Sequence, residues 1–262
     1  MRMTSSQLLV YLAVKYEGDY VRMLEAIKAK ERLVDEEVAF TLQNLRPRYL
    51  TIMDGNYPQA LRHIYQPPLV LFYYGDISLL EDSQHSVAVI GSRHPSAYGI
   101  EVTKAISKEL VERHYTIISG LAQGIDGHAH QSAIDHGGKT IAILGSGIDY
   151  CYPKDHFPLY MQIKEKHLLL SEYPNLVKPD ASHFPMRNRI VAGLSKGVVV
   201  TEASERSGTL ITVGCALMQG RDVFCVPHLA GEHSSCNRLI KEGAYLVECG
   251  QDIIDVLEPM MK

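Results

Sequence analysis

Apolar positions recur three and four residues apart at the start of the chain, at Leu8, Leu9 and Leu12 and again at Val21, Leu24 and Ile27. That spacing lines one face of a helix. Asp35-Glu36-Glu37 reads as the start of a further short helix, because early carboxylates complement the helix dipole. The pattern predicts a small helical domain over residues 1–55, helical to about Arg48. From Tyr57-Pro58 to Gly75 the periodicity breaks, and Pro67-Pro68 precede the apolar run Leu69-Val70-Leu71-Phe72-Tyr73, which predicts a strand. A second, larger domain is expected over 56–262.

After Ser86 short apolar runs alternate with longer helical patterns. The runs fall at 87–90, 116–118, 140–144, 168–170, 198–200 and 223–226. Continuous apolar strands separated by helices imply a parallel sheet covered on both faces, and right-handed crossovers make it doubly wound. The fold class read from the pattern is therefore α/β, with a mainly parallel doubly wound sheet behind a small helical N-terminal domain. No fixed-period repeat or low-complexity segment interrupts it.

Composition narrows the function without choosing it. Hydrophobic residues make up 46% of the 262 positions and charged ones 21%, which is globular, and no apolar run approaches the roughly 18 residues of a membrane span. The N-terminus shows no charged region leading into an apolar stretch and a cleavage site, so the protein is expected to be cytoplasmic and to have no membrane partner. Cys151, Cys215, Cys225, Cys236 and Cys249 are odd in number and contain no C-x-x-C pair, which argues against a disulfide framework and a four-thiolate zinc site. A net charge of −4 excludes a uniformly basic coat but not a local basic face.

Ligands of doubly wound sheets sit beyond the carboxyl ends of the strands, and those positions here are rich in glycine, serine and arginine. Gly91-Ser92-Arg93 follows one strand, the Ser119–Asp126 stretch with Gly120 and Gly124 follows the next, and Gly145-Ser146-Gly147 follows the third. Each alone reads as a tight connection. Together they read as an anion site built from backbone amides and helix N-termini, with Arg93 as a bidentate donor. The G-x-G-x-x-G fingerprint is missing, so neither NAD nor NADP is expected and no cofactor is assigned.

Phe184-Pro185-Met186-Arg187-Asn188-Arg189 precedes an apolar helical run. It reads either as a solvated helix start or as a phosphate-contacting one with Phe184 free to stack on a base. Ser207-Gly208-Thr209 opens another helix, where hydroxyls cap or cradle phosphate. His128 and His130 lie two apart, which on a helix does not make a shared face, so no metal is expected. Glu202 and Ser207 suggest a base and a nucleophile, yet the sequence places no histidine partner for them.

GSRHPSAYG (91–99), SGLAQGIDGHAH (119–130), LGSGIDYCYPK (144–154), SEYP (171–174), FPMRNRIVAGLS (184–195) and SGTLIT (207–212) together resemble the DprA/Smf family, in that family's order and from about Tyr57 to Gly250. The resemblance implies an extended Rossmann-type domain that binds single-stranded DNA without sequence specificity, dimerises, and loads RecA as a recombination mediator in natural transformation. The N-terminal helices are compatible with the sterile-alpha-motif-like domain found there. The resemblance gives Ser92, Arg93 and Lys154 to phosphate binding, and Phe184, Arg187 and Asn188 to the FP-x-RNR motif. Gly91, Gly120, Gly124, Arg189, Ser207, Gly208 and Thr209 complete the expected DNA-binding set. Relatives carry a lysine where this chain has Ala181, and Lys178 is the nearest replacement. The family's Pro-Gly after the 223–226 strand is Pro227-His228 here. Some relatives append a winged-helix domain, and a chain ending at Lys262 is expected to be a two-domain version. No enzymatic activity is expected. The alternative is a nucleotide-processing enzyme related to phosphoribohydrolases, whose P-G-G-x-G-T motif is replaced here by Glu205-Arg206-Ser207-Gly208-Thr209.

Overall fold

The computed structural model describes residues 3–81, 85–204, 207–232 and 234–258. Each apolar run of the sequence forms a strand. Among the described residues β1 (Arg48–Thr51), β2 (Val70–Gly75), β3 (Ser86–Gly91), β4 (Thr116–Ser119), β5 (Thr140–Leu144), β6 (Leu168–Ser171), β7 (Gly197–Glu202), β8 (Asp222–Cys225) and β9 (Tyr245–Leu246) build one sheet. Its order is β1-β2-β6-β5-β4-β3-β7-β8-β9. All neighbours from β6 to β9 are parallel, whereas β2 pairs antiparallel with both β6 and β1. The sheet is thus α/β, doubly wound and mainly parallel.

Alternation along each strand decides which helices cover which face. Val87 and Val89 of β3 pack with Ile106 and Leu110 of α5 (Ala97–Glu112), Ala129 of α6 (Ile125–Asp135) and Ile253 of α11 (Gly250–Leu257). Ala88 and Ile90 point the other way, to Ile190 and Val191 of α8 (His183–Gly193) and Val213 of α9 (Thr209–Met218). A third cluster joins β2 and β5 to α7 (Phe157–Lys166) and to the N-terminal helices α1 (Ser5–Lys15), α2 (Tyr20–Lys28) and α3 (Asp35–Asn44).

Local chemistry starts those helices. Thr4 forms a capping box with Gln7 at α1, Asp19 accepts from the amides of Val21 and Arg22 at α2, and Asp35, Glu36 and Glu37 occupy the first turn of α3. The segment expected to be helical to about Arg48, within a helical domain over 1–55, ends in a strand. Arg48–Thr51 is a strand, with Arg48 opposite Tyr73 and its guanidinium 5.1 Å from that ring. The local sequence Tyr-Leu-Thr favours extended backbone, and the free edge of β2 gives it a partner. No described helix is long and apolar enough to cross a membrane.

Candidate functional site

The sheet changes its winding direction at β3. From there β4, β5 and β6 proceed to one side and β7, β8 and β9 to the other. Loops leaving the carboxyl ends of β3 and β7 therefore part, and a crevice opens between them. A cavity of about 350 Å3 occupies this place, walled by Gly91, Ser92 and Arg93 after β3, Gly120 after β4, Phe184, Arg187 and Asn188 on α8, and Ser207, Gly208 and Thr209 at the start of α9. A smaller recess of about 60 Å3 runs from it past Gly145 and Tyr152, sharing Arg93, Gly120, Phe184 and Arg187.

Two glycines shape the walls. Gly124 sits at φ +81° as the residue before α6, and a Cβ there would lie 2.3 Å from the Ser92 carbonyl oxygen. It supports the Ser92-Arg93 turn from behind, with the Ile125 amide donating to that same oxygen at 3.1 Å. At Gly120 a Cβ would fall on the guanidinium of Arg187, so only glycine lets that group through. The turns leave fewer free amides than their glycines imply. Ser92 N donates to Glu202 O at 2.7 Å, and Gly120 N donates to Asp126 Oδ2 at 3.1 Å.

Arg187 is buried and held from three sides. Its Nε donates to Asn188 Oδ1 at 3.0 Å, and its Nη1 donates to the carbonyls of Ile143, at 2.6 Å, and of Gly120. Asp126 is its buried counter-charge. Burial raises the Asp126 carboxyl above its ordinary range, while Arg187 and the amides of Ala122 and Gly120 pull it back. Burial likewise lowers Arg187, against the pull of Asp126. Arg93, by contrast, is exposed. Its guanidinium carbon stands 5.3 Å from the centre of the Phe184 ring, and Tyr152 follows Phe184 at 6.0 Å between centroids. A cation and two aromatic rings thus form a row at the cavity rim.

At α9, Ser207 Oγ donates to Thr209 Oγ1 at 2.7 Å, and Thr209 Oγ1 donates to the Gly91 carbonyl at 3.0 Å. The hydroxyls tie α9 to the β3 turn. Ser207 is not joined to Glu202, whose carboxylate accepts from Ser96 instead.

Three expected residues stand elsewhere. Arg189 is buried against Glu172, Nη2 to Oε1 at 2.7 Å, because two residues along a helix turn about 200° and carry it away from Arg187. Lys154 is exposed in the turn after Pro153 and lines neither cavity, and Lys178 lines a separate groove beside the α1–α2 turn. Glu205 and Arg206 lie outside the described residues. Asp126 and Tyr152 belong to the site although sequence reasoning missed them. Their sequence signals are a carboxylate just after Gly124 and an aromatic next to a proline.

His130 is fully buried, its Nδ1 2.6 Å from Thr140 Oγ1, and burial pushes it down to about 3, which keeps it neutral. Among the described residues no three His, Cys, Asp or Glu side chains gather as a metal site would require.

The family model for DNA recombination-mediator protein A matches residues 48–258. DNA processing protein DprA of Streptococcus pneumoniae is 47% identical over 210 residues, covering 79% of this chain and 73% of that one. The Bacillus subtilis protein of the same description is 41% identical over 210 residues, covering 79% and 70%. Protein Smf of Escherichia coli is 43% identical over 205 residues, covering 77% of this chain and 54% of that protein, so the match spans about half its length. The X-ray structure of the Streptococcus pneumoniae protein superposes with a TM-score of 0.82 at 36% identity, covering 97% of this chain and 98% of that one. DNA processing protein A from Helicobacter pylori, whose structure concerns its single-stranded DNA binding mode, superposes with a TM-score of 0.73 at 30% identity, covering 81% and 96%.

Proposed function

The chain belongs to the DNA recombination-mediator protein A family, also called DprA/Smf, and from that premise we propose that its switch-point cavity holds single-stranded DNA by the phosphate backbone. One observation carries the reading. The exposed Arg93 stacks on Phe184 beside Tyr152 at the mouth of a cavity whose second cation, Arg187, is fixed from behind. A guanidinium reaches phosphate bidentately, and adjoining rings offer a surface on which any base can stack. Such a grip does not depend on sequence. The solved Helicobacter pylori relative, described by its single-stranded DNA binding mode, supports the same ligand class.

The reading extends to a mediator that loads RecA onto the strand during natural transformation, acting by binding rather than by catalysis and working in the cytoplasm. A homodimer fits the edge of the sheet. β9 is a two-residue edge strand whose Tyr245 and Leu246 are 46% and 52% exposed, and an open edge with large apolar side chains invites pairing.

The test is a gel-shift series with single- and double-stranded oligonucleotides over a range of salt. Single strands are expected to bind better, with affinity falling as salt rises because neutralised phosphates release counterions. Equal affinity for duplex and single strand overturns the reading. Release of free base from nucleoside monophosphates would instead support the enzymatic alternative.

A further inference from the structure

A second cavity, of about 780 Å3, adjoins the switch-point cavity and shares Ser92, His94 and Ser204 with it as a common wall. Its chemistry is different. No lysine or arginine among the described residues lines it, so it does not suit phosphate. Glu202, the last residue of β7, lies in its wall. That carboxylate accepts from Ser96 N at 3.2 and 3.1 Å and from Ser96 Oγ at 2.6 Å, all at the start of α5. Helix and carboxylate meet there because residue 99 is glycine: a Cβ would lie 2.2 Å from Glu202 Oε2. A carboxylate offers about four acceptor positions, so Ser96 does not exhaust it.

The remaining wall combines two held rings with a second carboxylate, Glu232, whose Oε2 lies 3.4 Å from His228 Nδ1. Tyr98, 46% exposed, stands edge-on to His228 at 5.4 Å and 86°, and its hydroxyl donates to the Pro227 carbonyl at 3.2 Å. His228 is fixed in turn. Its Nε2 donates to the Thr201 carbonyl at 3.0 Å, while Asn237 receives the His228 amide on Oδ1 at 2.9 Å and donates from Nδ2 to the His228 carbonyl at 2.8 Å. Pro227 and Leu229 add apolar surface. A cavity lined by two carboxylates, held rings and apolar side chains, with no lysine or arginine among the described residues, is complementary to a flat ring that carries N–H donors on its edge.

We propose that this cavity seats one base of the strand whose phosphates lie in the neighbouring site, and that Glu202 makes it favour guanine. The inference rests on the single-stranded DNA reading above. Guanine presents N1–H and N2–H side by side and so offers two donors to one carboxylate. Adenine and cytosine offer a single amino group, and thymine offers one N–H between two carbonyls that a carboxylate repels. The phosphate grip stays independent of sequence, and the pocket adds a preference at one position.

The experiment is fluorescence anisotropy with an oligothymidine strand and with the same strand carrying one internal guanine, read as a ratio of affinities within each protein. Wild type is expected to favour the guanine strand about fivefold or more, as a paired edge contact does elsewhere. Glu202→Gln should bring the ratio near one, since an amide turns a donor towards one of the two N–H groups. Tyr98→Ala should lower it by removing a ring from the same cavity. Oligothymidine binding by each variant reports folding and the neighbouring site. Failure of wild type to bind oligothymidine sinks the single-strand reading itself. Binding with a wild-type ratio of one, or a ratio untouched by Glu202→Gln, overturns the pocket alone. Free deoxyguanosine monophosphate binding as tightly as the strand would overturn it too, by making the cavity a free-nucleotide site.

Discussion

Arg93 and Arg187 are two arginines of one cavity with opposite duties. Arg93 is exposed and ready to meet a ligand, whereas Arg187 ties the carbonyls of Gly120 and Ile143 together over the buried Asp126. Arg93→Ala is therefore expected to leave the thermal midpoint almost unchanged. It should weaken single-strand binding and reduce the salt slope by about 0.7, the share of a single neutralised phosphate. Arg187→Ala should act mainly on stability, at roughly 3–5 kcal/mol, because it strands a buried carboxylate without its counter-charge. Urea denaturation run beside the binding series separates the two. His130 provides a pH test of the core. Its folded value, about 3, lies below the ordinary 6.5, so its contribution is complete above pH 6.5 and is lost as pH falls from there towards 3. The loss should approach about 1.4 kcal/mol per pH unit within that window, and His130→Gln should flatten the slope. An unchanged slope in that variant would mean another group titrates.

At the scale of elements, α8 shows how one helix serves both fold and site. Phe184, Arg187 and Asn188 face the cavity, and Arg189 turns to Glu172 behind it. Glu172→Gln should cost about 3 kcal/mol or more by leaving Arg189 buried and uncompensated, yet leave strand affinity as it was. Affinity lost in a folded Glu172→Gln protein would bring Arg189 into the site after all. The N-terminal helices raise a related question. Leu12 lies in one cluster with Phe72, Leu144 and Leu169 of the sheet, so α1 covers sheet surface and does not merely adjoin it. Leu12→Ala is expected to cost about 2–5 kcal/mol and to lower one cooperative transition for the whole chain. Two separate transitions, with only the first shifted, would instead favour residues 1–55 as an independent domain.

For the whole molecule the open end of the sheet matters most. If β9 pairs with a second copy, each assembly carries two strand-binding cavities, and occupation of one raises the effective concentration of the other. Long single strands should then bind far more tightly than strands that reach one cavity. Lysine at an exposed edge position blocks strand pairing. Leu246→Lys should thus give a monomer mass in sedimentation and abolish the advantage of long strands, with short-strand affinity unaltered. A wild-type mass that stays monomeric at all concentrations removes the dimer from the proposal.

The sequence by itself determined the strands from β3 to β8, because a strand buried on both faces must be apolar throughout and the runs 87–90, 116–118, 140–144, 168–170, 198–200 and 223–226 are marked locally. It also pointed to the glycine turns, since ligand crevices in such sheets lie after the strand ends. Other features came only from the tertiary structure. The antiparallel setting of β2 and the pairing of β1 depend on which edge is free once the sheet has formed, and no local pattern carries that information. Which cations face the cavity is likewise a matter of assembly. Arg187, Arg189, Lys154 and Lys178 are all basic in the sequence, but the turn of α8 and the packing of Glu172 put Arg187 on the wall and Arg189 behind it, while the segments that carry Lys154 and Lys178 leave them outside. Residue type sets what chemistry is possible, and the long-range packing of the sheet's two halves decides which groups meet.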